Sequence, residues 1–244
     1  MFDVLFTSEG LISLATLTAL EIVLGIDNII FISIIVSRLP KAQQSLGRQI
    51  GLLSALLVRL LLLLIIKWII GLEKELFAIA GIHLSGKDLI LIIGGLFLIA
   101  KSTSEIHAKI EHAGKSEEEI KVTSKAATGL AWVLIQAIFI NIVFSFDSVL
   151  TAIGLVKEII IMAIAIIASI AVMVFFVNQI SSYIERHPTV KMLALSFLIM
   201  IGILLVSEGL DVHFPKGYVY FAMAYSFVVE QLNIRLRKKI GSSF

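Results

Sequence analysis

Residues 21–30 read EIVLGIDNII, and residues 141–150 read NIVFSFDSVL. Each stretch sets an aspartate, Asp27 or Asp147, inside a long apolar run. Ile22/Ile142, Val23/Val143 and Asp27/Asp147 are identical. Gly25/Ser145 and Asn28/Ser148 are small or polar in both, and Ile29/Val149 and Ile30/Leu150 are aliphatic in both. Apolar matches come cheaply in hydrophobic sequence. The comparison rests on its polar positions, Glu21, Asp27 and Asn28 against Asn141, Asp147 and Ser148.

Charge is scarce around these stretches. Of 244 residues, 59% are hydrophobic and 16% charged, with a mean hydropathy of +1.03. A soluble domain holds roughly 45–50% apolar and about 25% charged residues. Several runs approach or exceed the roughly 20 apolar residues that cross a bilayer. The chain therefore reads as an integral membrane protein whose first partner is the lipid bilayer; no nucleic-acid partner is expected. With no cysteine, disulfides, thiolate metal ligands and cysteine nucleophiles are excluded. The start, MFDVLFTSEG, has neither a basic n-region nor a small-residue cleavage pattern, so the first apolar segment is expected to be a retained span.

Seven hydrophobic segments can be drawn, at about 10–36, 50–71, 88–105, 127–154, 158–180, 190–209 and 217–236. Pro40, Pro188 and Pro215 all fall between them, as suits residues that lack a backbone donor. Basic residues alternate from loop to loop. Fourteen follow spans 1, 3, 5 and 7, whereas Lys74, Lys87, Lys157 and Lys216 are the four on the other side. The positive-inside rule then places the N-terminus outside and the C-terminus inside. The hydrophilic stretch at about 106–126, with its EEE run and nearby lysines, reads as a solvated cytoplasmic linker.

Three spans separate the start of one aspartate stretch from the start of the other, so spans 1 and 4 must run in opposite directions. The fold class expected is an all-α membrane protein forming a single transmembrane domain. Repeat 1 covers about 10–105, repeat 2 about 127–209, and an extra helix about 217–236. Such 3+3 inverted repeats occur in secondary transporters, which bind substrate near the midplane at the repeat interface. A weaker echo links Ser104-Glu105 after span 3 with Ser207-Glu208 after span 6.

A charge near the bilayer centre costs about 2.5–3.5 kcal/mol on insertion scales. Glu21, Asp27 and Asp147 therefore require partners, protonation or a bound cation. Arg59 is the natural charge partner, being the charge near the middle of span 2, while Lys67 lies near enough to a span end to snorkel. One arginine cannot neutralise three carboxylates. Glu21 and Asn28, seven residues apart, share a helix face, as do Asn141 and Ser148; the aspartates point about 100° away on a regular helix. Convergence on one ion would need a bend or unwinding near Gly25 and near Ser145.

The candidate metal ligands Glu21, Asp27, Asn28, Asn141, Asp147 and Ser148 offer only oxygen, which suits Mn²⁺, Ca²⁺ or Mg²⁺. Such an ion would be cargo, with no tightly bound cofactor. The same carboxylates could instead carry protons. All five histidines (83, 107, 112, 187 and 213) lie between spans, which removes the ligands of an intramembrane zinc protease. No G-x-S-x-G nucleophile motif is present. An enzyme is not expected.

EIVLGIDNIIF at 21–31 and FSFDSVLTAIG at 144–154 resemble the paired signatures of the TerC family within the LysE superfamily of membrane transporters. The resemblance continues through ERHPTVKMLALSFL (185–198) and HFPKGYVYFAM (213–223). It implies a seven-span bacterial inner-membrane protein. For several members it implies manganese efflux, or manganese delivery to exported proteins, with the metal at the matching acidic and amide positions. Family members often carry aspartate where this chain has Asn141. The family's link to tellurite belongs to some members and is not carried over.

The function expected is a divalent-cation transporter for manganese efflux, working by alternating access. The alternative is a non-transporting membrane factor that assists assembly or metalation of other proteins. Few aromatics lie near the motif to cage an organic cation. A homo-oligomer or a membrane partner is left open. Gln136, Asn178 and Gln179 are expected to bond between helices, and Gly94-Gly95 to mark close packing. Glu208 and Glu230 sit towards span ends, where solvation is easy; the alternative is a role in an exit path.

Overall fold

The computed structural model describes residues 7–65, 75–79, 82–111, 129–156 and 158–241. Seven long helices lie where the seven hydrophobic segments were drawn: α1 (Ser8–Val36), α2 (Lys41–Leu64), α3 (Gly86–Glu111), α4 (Leu130–Leu155), α5 (Ile159–Arg186), α6 (Pro188–Glu208) and α7 (Lys216–Gly241). Of these, α1, α2, α3, α5 and α6 are long and apolar enough to cross a membrane, and α4 carries the apolar stretch Leu130–Phe146. The all-α expectation needs one addition. An antiparallel hairpin, β1 (Glu75–Ile79) and β2 (Ile82–Ser85), precedes α3.

Local sequence sets the helix ends. The Thr7 hydroxyl accepts from Gly10 N at 3.1 Å and starts α1. At α3, Ser85 and Asp88 cap reciprocally: Asp88 N donates to Ser85 Oγ at 3.2 Å, and Ser85 N to Asp88 Oδ2 at 2.8 Å, the capping-box arrangement. Pro188 ends α5 and opens α6 one residue later, because it cannot supply a helix-interior donor. Four helices outrun their expected spans. α2 begins at Lys41 rather than near 50, α3 continues to Glu111, α5 to Arg186 and α7 to Gly241. Hydropathy marks only the part of a helix that lipid covers, whereas the backbone ladder continues through polar residues of good helix propensity. The linker expected at 106–126 thus begins as helix, and its residues 112–126 lie outside those described.

The principal packing pairs are α3 with α6, α1 with α5, α2 with α4, and α2 with α5. α1 and α5 run parallel: Ser33 meets Ser181, Oγ to Oγ at 2.5 Å, and eight residues earlier Gly25 faces Met173. α3 and α6 run antiparallel and touch backbone to backbone. A Cβ on Gly95 would lie 2.6 Å from the Gly202 carbonyl oxygen, and one on Gly202 2.8 Å from that of Gly95. Gly94, against Val143, admits α4 beside them. One apolar cluster joins Leu17 of α1, Leu63 of α2, Ala152 of α4 and Ile161 of α5. The end of α4 therefore meets the first half of α1, and these two helices are antiparallel. α7 is peripheral, with Tyr218, Phe221 and Tyr225 exposed.

The bundle has two unlike ends. Where α1 finishes, Arg38 pairs with Glu105 at 2.5 Å, Arg48 with Glu185 at 2.6 Å, and Lys191 Nζ donates to Ser37 Oγ at 3.0 Å. These contacts tie α1, α2, α3, α5 and α6 together. The opposite end holds the α6–α7 connection and a cleft.

Candidate functional site

The first polar position of each aspartate stretch turns towards α2. Glu21 forms an ion pair with Arg59, and both side chains are buried. Asn141 Nδ2 donates to the Gly51 carbonyl at 3.1 Å and to Ser54 Oγ at 3.2 Å. A carbonyl can only accept, so the amide nitrogen must face Gly51, and Asn141 Oδ1 is left buried without a hydrogen bond. α2 thus presents one cation to Glu21 and neutral groups to Asn141. An amide suits the second place because it needs no counter-charge there.

The second and third positions differ. Asp27 is 5% exposed, and no hydrogen bond or ion pair joins it to another described residue. Asn28 is buried with Oδ1 unpaired, and Ser145, one turn before Ser148, is fully buried with Oγ unpaired. Ser148 Oγ donates to the Ser145 carbonyl at 3.3 Å. Asp27 and Ser148 line one cleft with Leu24, Phe144, Leu204, Glu208, Lys216 and Tyr220. That cleft is walled by α1, α4, α6 and α7, and at its α6–α7 side Lys216 pairs with Glu208 at 3.4 Å.

The convergence of Glu21 and Asp27 through an opened helix does not occur. α1 is helical through Gly25 and α4 through Ser145. The space left by Gly25 is taken by the Met173 thioether, since a Cβ there would lie 2.4 Å from Sδ. That glycine admits a neighbouring helix; it is not a break. Glu21 is committed to Arg59, while Asp27 opens to the cleft. Asp147 stands on α4 beside Ser148, and its side chain lies outside those described. Among the described residues, no group of three His, Asp or Glu side chains comes together to hold a metal ion.

Other expectations are placed as follows. Gln136 bonds within its own helix, to Trp132 O at 3.3 Å, rather than between helices. Asn178 does act across helices, accepting from Arg48 at 3.5 Å. His107 pairs with Glu111 on the exposed tail of α3, and His112 lies outside the described residues. The sequence reading missed Ser145 as a free oxygen and Lys216 and Tyr220 as cleft residues. For Glu208 the sequence offered two readings, a solvated span end and a place in an exit path, and its position in the cleft favours the second.

Comparison with known proteins matches residues 6–242 to the family described as Integral membrane protein TerC family. The chain is 50% identical over 238 residues to a UPF0053 protein of Haemophilus influenzae, covering 98% of this chain and 99% of that protein. It is 48% identical over 228 residues to the UPF0053 inner membrane protein YgdQ of Escherichia coli K12, covering 93% and 94%. It is also 41% identical over 221 residues to the UPF0053 inner membrane protein YoaE of the same strain, with 90% of this chain but 42% of that longer protein covered. No solved structure matches the chain.

Proposed function

Because the chain belongs to the TerC family of integral membrane proteins, we propose that it carries divalent metal cations, manganese above all, out across the bacterial inner membrane. Relatives are named as inner membrane proteins, and this chain, with five helices among its described residues long and apolar enough to cross a bilayer, is a multi-pass inner-membrane protein. One observation carries the transport reading: Asp27 is buried, has no described partner, and faces a cleft. A carboxylate in hydrocarbon surroundings costs about 2.5–3.5 kcal/mol even on insertion scales. A passing cation offsets that cost. Ser148 lines the same cleft, and Asn28, Asn141 and Ser145 carry further buried, unpaired neutral oxygens on α1 and α4, a donor chemistry that suits Mn²⁺, Mg²⁺ or Ca²⁺. The choice of manganese among them comes from the family resemblance.

A transported ion must leave as readily as it arrives, so its site cannot be a full cage. One free carboxylate with amide and hydroxyl oxygens meets that requirement better than three converging acids. The principal packing pairs support the inverted repeat. Exchanging α1, α2, α3 for α4, α5, α6 turns the α1–α5 pair into α4–α2 and maps α3–α6 and α2–α5 onto themselves. Seven spans with the N-terminus outside put the ion-paired end in the cytoplasm and the Asp27 cleft towards the outer face. Rocking of one repeat against the other would expose Asp27 to each side in turn.

Cells lacking the protein test this reading in excess manganese. Wild type should restore growth and lower cell manganese, and Asp27→Asn should do neither at equal expression. Equal rescue by the variant would remove the carboxylate from the mechanism.

A further inference from the structure

Glu208 ends α6, 17% exposed, with the ammonium of Lys216 at 3.4 Å. Both line the cleft into which Asp27 and Ser148 open. A cation leaving Asp27 through this cleft passes a second carboxylate that already holds a cationic side chain. The opposite end of the bundle carries a matching device. Ser104-Glu105 stands near the end of α3 as Ser207-Glu208 stands at the end of α6, and these two helices exchange under the repeat. Glu105 holds Arg38 at 2.5 Å and Lys101 at 3.5 Å. The two glutamates thus sit at opposite ends of the bundle, each with a basic partner from its own end.

We propose that Glu208 is a second contact for the transported divalent cation, between Asp27 and the outer surface, and that Lys216 is the resident counter-charge which the cation displaces. The proposal rests on the transport reading above. An ion held by Asp27 alone would face an uncompensated step from the buried carboxylate to water. Glu208 shortens that step, and Lys216 keeps Glu208 neutralised between passages. Lys216 also sets selectivity by charge, since the incoming ion must out-compete one ammonium. A divalent ion does so more readily than a monovalent one at the same distance, because Coulomb energy scales with charge.

The test uses the full chain, with Mn²⁺ as the probe, in two measurements: equilibrium Mn²⁺ binding in detergent, and initial Mn²⁺ flux into vesicles holding a manganese-quenched dye. Glu208→Gln should lower flux about tenfold, more than it weakens equilibrium binding, and Glu208→Asp should restore flux. Lys216→Gln should lower the half-saturating Mn²⁺ concentration for flux by about tenfold and raise competition by Na⁺. Wild-type flux from Glu208→Gln overturns the proposal and leaves the Asp27 reading standing. So does an unchanged half-saturation in Lys216→Gln, which also decides the matter if the glutamate variant folds poorly. Absence of both flux and binding in the wild-type protein would instead remove the transport reading, and Glu208's role with it.

Discussion

The guanidinium of Arg59 closes on the carboxylate of Glu21 across the α1–α2 interface, with neither side chain more than 1% exposed. This pairing settles the charge of Glu21 internally. It leaves Asp27, six residues later on the same helix, as the described intramembrane carboxylate with no partner. The distinction between a structural acid and an available one follows from which of them α2 can reach.

Removing one member of the pair should be far worse than removing both. Arg59→Met leaves Glu21 buried and uncompensated, at a cost of about 3–5 kcal/mol. The Glu21→Leu/Arg59→Met double variant should recover most of that loss. Thermal unfolding in detergent reads the difference. Equal destabilisation by the single and double variants would mean that the pair is not the relevant contact.

Asn141→Asp should destabilise the protein even though it would make the two aspartate stretches more alike. A carboxylate oxygen would replace the donor now 3.1 Å from the Gly51 carbonyl, setting acceptor against acceptor. The expected cost is about 1–3 kcal/mol, visible as a lower unfolding temperature, and Asn141→Ser should cost less. An aspartate variant as stable as wild type would show that the amide's contacts with α2 carry little.

The α3–α6 interface should tolerate no side chain where it is tightest. In Gly95→Ala the new Cβ meets backbone, the Gly202 carbonyl, at 2.6 Å, which cannot swing away. Gly25→Ala meets the flexible end of Met173, which can. Overpacking costs about 1–3 kcal/mol, and Gly95→Ala should lie at the upper end and Gly25→Ala at the lower. The reverse order in unfolding temperature would contradict the packing described for α3 and α6.

Sidedness can be read directly, because the chain has no cysteine. A membrane-impermeant maleimide should label Val212→Cys, in the α6–α7 connection, on spheroplasts. His107→Cys, on the exposed tail of α3, should label only after permeabilisation. The opposite pattern would invert the orientation and make the Asp27 cleft face the cytoplasm.

Much of the architecture was legible because hydropathy and helix length are local properties. Each hydrophobic segment became one helix, and the lone arginine amid span 2 had to meet a carboxylate. What sequence could not say was which one. Assigning Glu21 and Asp27 to a single ion required a broken α1. The structure gives Glu21 to Arg59 and fills the space beside Gly25 with Met173, so no break is needed. Glu208 and Lys216 join Asp27 only through the packing of α6 and α7 against α1 and α4. Position along a span showed them as solvated ends, and nothing local marked them as neighbours of a residue some 180 positions earlier.

The central claim is that Asp27 carries a divalent cation through the membrane, and Mn²⁺ flux into vesicles containing purified protein tests it most directly. Wild type should pass Mn²⁺, and Asp27→Asn, equally folded by thermal unfolding, should pass none above empty vesicles. Flux through the asparagine variant at the wild-type rate would contradict the claim.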